Sequence, residues 1–200
     1  MSAEITLLVN PTAGRGRGAH AAQPAASALR AAGALKEGRI REIDLGRVAG
    51  SPDQRETWYG TVLCSGFDSR VNDRGNRMRL PAGRFKYDLA ILAELAAFRA
   101  FPYRITLDAG PVIETEATLV AVGDGLFDVV VVGDCSRATL LKVFPQVYKG
   151  THLGHPKVTA HRASKITLEA AGITSYADGE PLGPLPVTAE CVPGALRLLA

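Results

Sequence analysis

The chain has 200 residues, of which 46% are apolar and 22% are charged, a composition that excludes an intrinsically disordered protein. The formal net charge of +3 is compatible with a phosphate ligand or an anionic membrane surface, but it is too small to indicate a nucleic-acid binder. Three cysteines without a CxxC pair argue against a disulfide framework or a zinc ribbon and favour the reducing cytosol.

The segment 1–38 reads as the opening half of a βαβ unit. The apolar run Ile5–Val9 predicts a buried strand, and the segment Ala21–Ala32, with Pro24 near its start, predicts a helix. Between them lies a glycine-rich loop whose backbone N–H groups could form an anion-binding nest. A flexible Gly-Arg turn explains the same residues equally well, and the GxxxxGK[ST] pattern of a P-loop is absent.

From residue 39 onward the pattern is dominated by strands. Predicted strands cover 39–48, 58–67, 103–108, 112–122, 128–132, 157–160, 165–169 and 186–192. The leucine spacing predicts one helix over 87–99. A shorter helix is predicted from the N-cap Ser136 through Val143, ended by Pro145.

Two Asp-Gly segments are candidates for chemistry. Asp178-Gly179-Glu180 is typical of a tight hairpin carrying a solvated glutamate, and a functional interpretation makes Glu180 a general base held on a rigid turn. In Asp124-Gly125-Leu126, a carboxylate and a backbone carbonyl two residues later could face Mg²⁺, although a plain turn explains these residues too.

Basic residues also cluster before the main predicted helix, between positions 74 and 86. Mixed with Met78, Leu80 and Tyr87, they could meet anionic lipid head groups, whereas the simpler interpretation is a solvated loop.

Taken together, these motifs resemble the bacterial diacylglycerol kinase family, which is related to the sphingosine kinases and more distantly to the NAD kinases. Four stretches spread over nearly the whole chain carry the resemblance: LLVNPTAGRGRG; GRIREIDLGRV with WYGTVLCSGFDSRVNDRGNRMR; DGLFDVVVV; and KGTHLGHPKV through YADGEPLGPLPV to VPGALRLL.

The resemblance implies a fold and a reaction. The fold is an α/β stub over 1–38, the remnant of an NAD-kinase-like nucleotide domain, followed by a strand-rich β-sandwich C-terminal domain over 39–200, α+β overall. The reaction transfers the γ-phosphoryl group of ATP to a diacylglycerol and gives phosphatidate. We therefore expect a lipid substrate, peripheral contact with the inner membrane face and a homodimer.

The resemblance also assigns roles to individual residues. Glu180 would take the proton from the lipid hydroxyl, and Asp124 with the Leu126 carbonyl would belong to a structural magnesium site. The expected contacts to the ATP phosphates come from the first loop: Asn10, Pro11, Thr12, Ala13 and Gly14.

The sequence departs from the family's pattern in two places. The Gly-Gly-Asp-Gly-Thr phosphate loop of the family occurs nowhere in the chain, and the glycine-rich segment expected before Asp124 is missing. Because phosphoryl transfer depends on positioning and charge neutralisation, the loss of that loop predicts a poor kinase or a non-catalytic lipid- or partner-binding remnant.

Overall fold

The computed structural model describes residues 40–49, 56–78, 84–123, 126–149 and 152–199. The strand, glycine loop and helix predicted within the segment 1–38 lie outside these ranges.

The described chain consists mainly of strands. Its strands are β1 (Ile40–Ala49), β2 (Thr57–Tyr59), β3 (Leu63–Gly66), β4 (Phe101–Leu107), β5 (Val112–Val122), β6 (Phe127–Gly133), β7 (Val158–Ala163), β8 (Lys165–Glu169), β9 (Thr174–Ala177), β10 (Glu180–Pro184) and β11 (Val187–Leu199). Its helices are α1 (Phe67–Arg77), α2 (Arg84–Ala96) and α3 (Arg137–Lys149), with a 3₁₀ turn at His152–Gly154. In this part of the chain, no helix is long and apolar enough to cross a membrane.

Several predicted elements are confirmed. The strands over 112–122 and 165–169 have their predicted bounds. Ser136 caps α3 as predicted, because its hydroxyl oxygen accepts the Thr139 N–H at 3.1 Å. The main predicted helix is present as α2, three positions earlier than expected at both ends.

The single strand predicted over 58–67 was wrong, because residues 60–62 divide it into β2 and β3 and it does not extend to position 67. Gly66 adopts a φ of 89°, which terminates β3, and helix α1 begins at Phe67. The buried residues Phe67, Val71 and Gly75 recur every four positions, which is a helical spacing that the polar residues between them obscure.

The predicted end of α3 was also wrong, since the helix continues through position 145 to Lys149. A proline inside a helix removes one N–H donor and disturbs the turn before it, but the remaining backbone hydrogen bonds can continue the helix.

All eleven strands belong to one branched sheet, with β5 as the branch point. The main path runs β10-β9-β3-β5-β4-β8-β11-β1-β2, and β6 joins β5 to β7. Every pairing with a described register is antiparallel. The first half of β5 pairs with β4, and its last four residues pair with both β3 and β6.

Because β6 and the second half of β5, residues 117–122, are covered on both faces, their sequences are mostly apolar. Alternate residues of each strand enter two different hydrophobic clusters. One, the sheet core, is built mainly from strands and includes Tyr103, Val120, Val122, Phe127, Val129 and Leu168. The other, the helix core, joins the opposite strand faces to the helices and includes Phe67, Val71, Ala90, Leu119, Val132 and Leu140.

By compactness the chain divides into two units, residues 1–42 with 196–200, and residues 43–195. In the first, the described residues include an exposed ion pair in which Arg197 Nε lies 3.7 Å from Glu42 Oε1. The second contains the three described helices and both clusters. The boundary predicted between residues 38 and 39 stays a prediction.

Phe127 tests the importance of the sheet core. Its side chain is fully buried and stacks on Tyr59 with 6.2 Å between ring centroids. We expect Phe127→Ala to lower the free energy of unfolding by about 3–5 kcal/mol, because it removes apolar contacts and leaves a cavity. Urea unfolding followed by circular dichroism measures this loss.

The matched control is Leu92→Ala on α2, where the leucine is 63% exposed. That change should alter the free energy of unfolding by no more than about 0.5 kcal/mol. Equal losses in the two variants would contradict the assignment of Phe127 to the core.

Candidate functional site

The predicted Asp-Gly turn is present and joins β9 to β10. Asp178 and Gly179 have φ angles of 49° and 84°, and the flanking residues Ala177 and Glu180 face each other in the ladder. Two successive positive φ angles define a type I′ turn, which follows the twist of the strands and favours Asp-Gly. The sequence therefore fixes the backbone immediately before Glu180.

The Asp178 side chain ties this hairpin to a second turn, Gly60–Val62, between β2 and β3. Its Oδ2 accepts the Gly60 N–H at 2.7 Å, and its Oδ1 accepts the N–H groups of Thr61 and Val62 at 3.0 and 3.1 Å and the Thr61 hydroxyl. In return the Asp178 N–H donates to the Val62 carbonyl at 3.0 Å. We call this set of contacts the Asp178 clamp.

The clamp also sets the charge state of Asp178. Partial burial alone would raise the pKa of the carboxyl, but the hydrogen bonds from the Thr61 hydroxyl and from the amides of Gly60, Val62 and Thr61 outweigh it and hold the pKa below its usual value. The clamp is therefore strongest when Asp178 is ionised.

Glu180, the predicted base, is the first residue of β10 and its side chain is exposed. Its carboxylate has no hydrogen bond or ion pair with any other described residue. A carboxylate that is not engaged elsewhere, carried on a turn that cannot rotate freely, is able to accept a proton from a bound hydroxyl.

The sheet brings the Glu180 hairpin to the same end as the connection between β5 and β6. Leu63, the first residue of β3, pairs with Ala177 on one side and with Val122 on the other. The β9–β10 turn, the Gly60–Val62 turn and the β5–β6 connection therefore lie at the same end of three adjacent strands. Adjacent strands are about 4.8 Å apart, so the two outer strands are separated by about 10 Å at this point.

Of the two residues predicted for magnesium, the structure describes only Leu126. It lies in the short connection after β5, which is closed by a hydrogen bond from the Gly123 N–H to the Asp128 carbonyl at 3.1 Å. Asp124 lies outside the described ranges, as do the predicted phosphate contacts Asn10, Pro11, Thr12, Ala13 and Gly14. Within those ranges no three His, Cys, Asp or Glu side chains form a metal cluster.

Sequence reasoning missed the Gly60–Val62 turn as a part of this site. Nothing in the sequence pairs this turn with Asp178, because even its nearest member, Val62, is 116 positions away. The only local signal was the Asp-Gly dipeptide, whose aspartate often accepts hydrogen bonds from backbone amides near a turn.

Comparison of the chain with known protein families identifies its family. The profile described as "YegS C-terminal NAD kinase beta sandwich-like domain" matches residues 61–124 and 120–200. The chain belongs to this family. Members of the YegS C-terminal family carry a β-sandwich-like domain, which agrees with the strand-rich fold described above.

Individual relatives of this YegS-type chain are diacylglycerol kinases by name. The diacylglycerol kinase of Mycobacterium tuberculosis (strain CDC 1551 / Oshkosh) is 40% identical over 187 residues, which cover 84% of this chain and 60% of that protein. The diacylglycerol kinase of strain H37Rv gives the same figures. The chain thus spans about 60% of the length of these curated relatives.

Two crystal structures from Bacillus anthracis str. Sterne share the fold. One has a TM-score of 0.57 at 18% identity and covers 84% of this chain and 60% of that chain. The other, of a diacylglycerol kinase, has a TM-score of 0.51 at 17% identity and covers 84% of this chain and 57% of that chain.

The Asp178 clamp generates a prediction about acid stability. The pKa of Asp178 is lower in the folded protein, so its contribution is fully present above the unfolded pKa of about 3.9 and is lost as the pH falls through the folded value. We expect Asp178→Asn to cost about 1 kcal/mol at neutral pH, since the side chain is partly exposed. In urea unfolding, the difference in the free energy of unfolding between wild type and variant should disappear below about pH 4.

Asp88→Asn, a change at an exposed position on α2, is the control and should show little difference at any pH. If the difference in unfolding free energy between wild type and Asp178→Asn stays constant down to acidic pH, the clamp does not depend on an ionised Asp178.

Proposed function

We propose that the chain transfers the γ-phosphoryl group of ATP to the free hydroxyl of a diacylglycerol and so forms phosphatidate. The hydroxyl oxygen attacks the γ-phosphorus, the bond from that phosphorus to the β,γ-bridging oxygen breaks, and ADP leaves. The hydroxyl proton passes to the Glu180 carboxylate, which returns it to solvent.

The position of Glu180 is the observation that carries this proposal. Its carboxylate is not engaged by any described residue, and the Asp178 clamp holds the turn that bears it. A general base at a fixed position typically contributes about 10²–10⁴-fold to the rate. The same turn lies at the end of the sheet where β5 ends, which supports the assignment of a magnesium site to that end.

The cofactor residues are also part of the proposal. The carboxylate of Asp124 and the carbonyl of Leu126 are the hard oxygen donors that Mg²⁺ prefers, and they would hold a structural magnesium ion. Residues Asn10–Gly14 would contact the ATP phosphates through backbone N–H groups at every position except Pro11, which has none.

A second candidate function is a lipid- or partner-binding protein without turnover. The missing Gly-Gly-Asp-Gly-Thr loop supports it, because that loop supplies phosphate donors and a carboxylate in the family. A loss of about 4 kcal/mol of transition-state stabilisation already lowers a rate about 10³-fold. In either case the lipid would be met at a membrane surface, which implies peripheral contact.

The two functions are separated by an assay with labelled ATP, Mg²⁺ and diacylglycerol in mixed micelles. If the chain is a kinase, Glu180→Gln should reduce phosphatidate formation by about 10²–10⁴-fold, because the amide cannot accept the proton. Glu116→Gln, which removes an exposed carboxylate on β5, is the control and should leave the rate unchanged.

If the chain and both variants show only the background of an enzyme-free sample, the non-catalytic function is favoured. Co-sedimentation with vesicles containing diacylglycerol then decides whether lipid binding is retained. Phosphatidate formation that is unaffected by Glu180→Gln would eliminate Glu180 as the base.

A further inference from the structure

A polar groove of about 500 Å³ lies beside α1. Its lining includes Thr174, the first residue of β9, at the end of the β9–β10 hairpin opposite the turn that precedes Glu180. The lining also includes three arginines of α1, Arg70, Arg74 and Arg77, which follow one another at spacings of four and three positions. That spacing places them on one face of the helix, where their positive charges repel one another.

A buried carboxylate from the neighbouring helix orients two of these arginines. Glu94 of α2 is only 4% exposed, and it accepts the Nε–H of Arg70 at 2.7 Å and the Nε–H of Arg74 at 2.6 Å. The Arg70 guanidinium also lies 5.5 Å from the ring centroid of Phe101. Because both arginines bind Glu94 through Nε, their terminal nitrogens have no partner among the described residues and are left to the groove.

The third arginine adds charge that the protein does not balance. Arg77 Nη2 pairs with Asp73 Oδ2 at 2.9 Å, and Asp73 also accepts the Tyr176 hydroxyl at 3.4 Å. Three guanidinium groups therefore face two carboxylates, Glu94 and Asp73, and the cluster keeps one excess positive charge. An anion in the groove would remove that excess and relieve the repulsion along α1.

The lining at Gly172 leaves room for such an anion. Gly172 has a φ of 70°, and a Cβ atom added there would meet nothing within 4 Å. Oriented guanidinium groups match the oxygens of a phosphate, which they bind through paired N–H donors. A volume of about 500 Å³ exceeds a bare phosphate and accommodates a small organic group attached to it.

From these contacts we propose that the Arg70–Arg74–Arg77 groove binds a phosphate monoester. The shared chemistry is a phosphate with one ester bond, as found in glycerol phosphate and in the head group of phosphatidate. This proposal does not depend on the kinase function, because it involves neither Glu180 nor the β5–β6 connection.

The test is isothermal titration of the full chain with glycerol phosphate, and in a second arm co-sedimentation with phosphatidylcholine vesicles with and without phosphatidate. We expect Arg77→Gln to weaken binding about tenfold, because it removes one charge-assisted hydrogen bond. Arg74→Lys keeps the charge but loses the planar donor pair, and it should also weaken binding. Thermal unfolding of each variant confirms that it is folded.

Arg104→Gln is the matched control, because Arg104 is an exposed arginine of β4 whose Nε lies 3.9 Å from Glu114, outside the groove. It should leave binding unchanged. Saturable binding of glycerol phosphate identifies a soluble ester as sufficient, and Arg77-dependent binding of phosphatidate vesicles alone identifies the lipid head group as the source. No binding in either arm, or an equal loss in Arg104→Gln and Arg77→Gln, would overturn the proposal.

Discussion

The Asp178 carboxylate is the contact on which the candidate site depends. It accepts three backbone N–H groups and one hydroxyl from a turn that is distant in the chain, with Val62 116 positions away. A turn with positive φ at two successive residues carries a conformational cost. Hydrogen bonds to an ionised acceptor offset that cost and fix the turn. As a result, the position of Glu180 is set by backbone geometry and not by packing of its own side chain.

The turns that the Asp178 clamp joins lie at the end of a closely packed part of the sheet. Leu63 is fully buried and pairs with β5 and β9 at once, so the turns at this end of the sheet cannot shift independently. The neighbouring strands β5 and β6 are held from both faces, by the sheet core on one side and the helix core on the other. Close packing on two faces resists local movement, which suits a site whose chemistry depends on position.

On the helical side of the domain, arginine side chains outnumber the carboxylates that they contact. Burial alone would raise the pKa of the Glu94 carboxyl, but its hydrogen bonds and ion pairs with two arginines outweigh burial and lower that pKa. One arginine would neutralise the carboxylate, whereas the protein supplies two and adds Arg77 on the same helix face. The Glu180 end of the sheet instead presents a carboxylate that no described residue engages. The two regions therefore differ in the sign of charge that they offer to a ligand.

The sequence alone determined the elements whose signals are local. The strand patterns of β5 and β8, the Ser136 cap and the Asp-Gly turn were all predictable, because each depends on residues within a few positions of one another. Helix α1 was missed because its polar residues hide the spacing of Phe67, Val71 and Gly75. Only the tertiary structure decided that Asp178 meets Gly60–Val62, that Leu63 joins two other strands and that Glu94 gathers two arginines. These contacts join distant segments, and their partners are chosen by sheet register and helix packing, which no local pattern encodes.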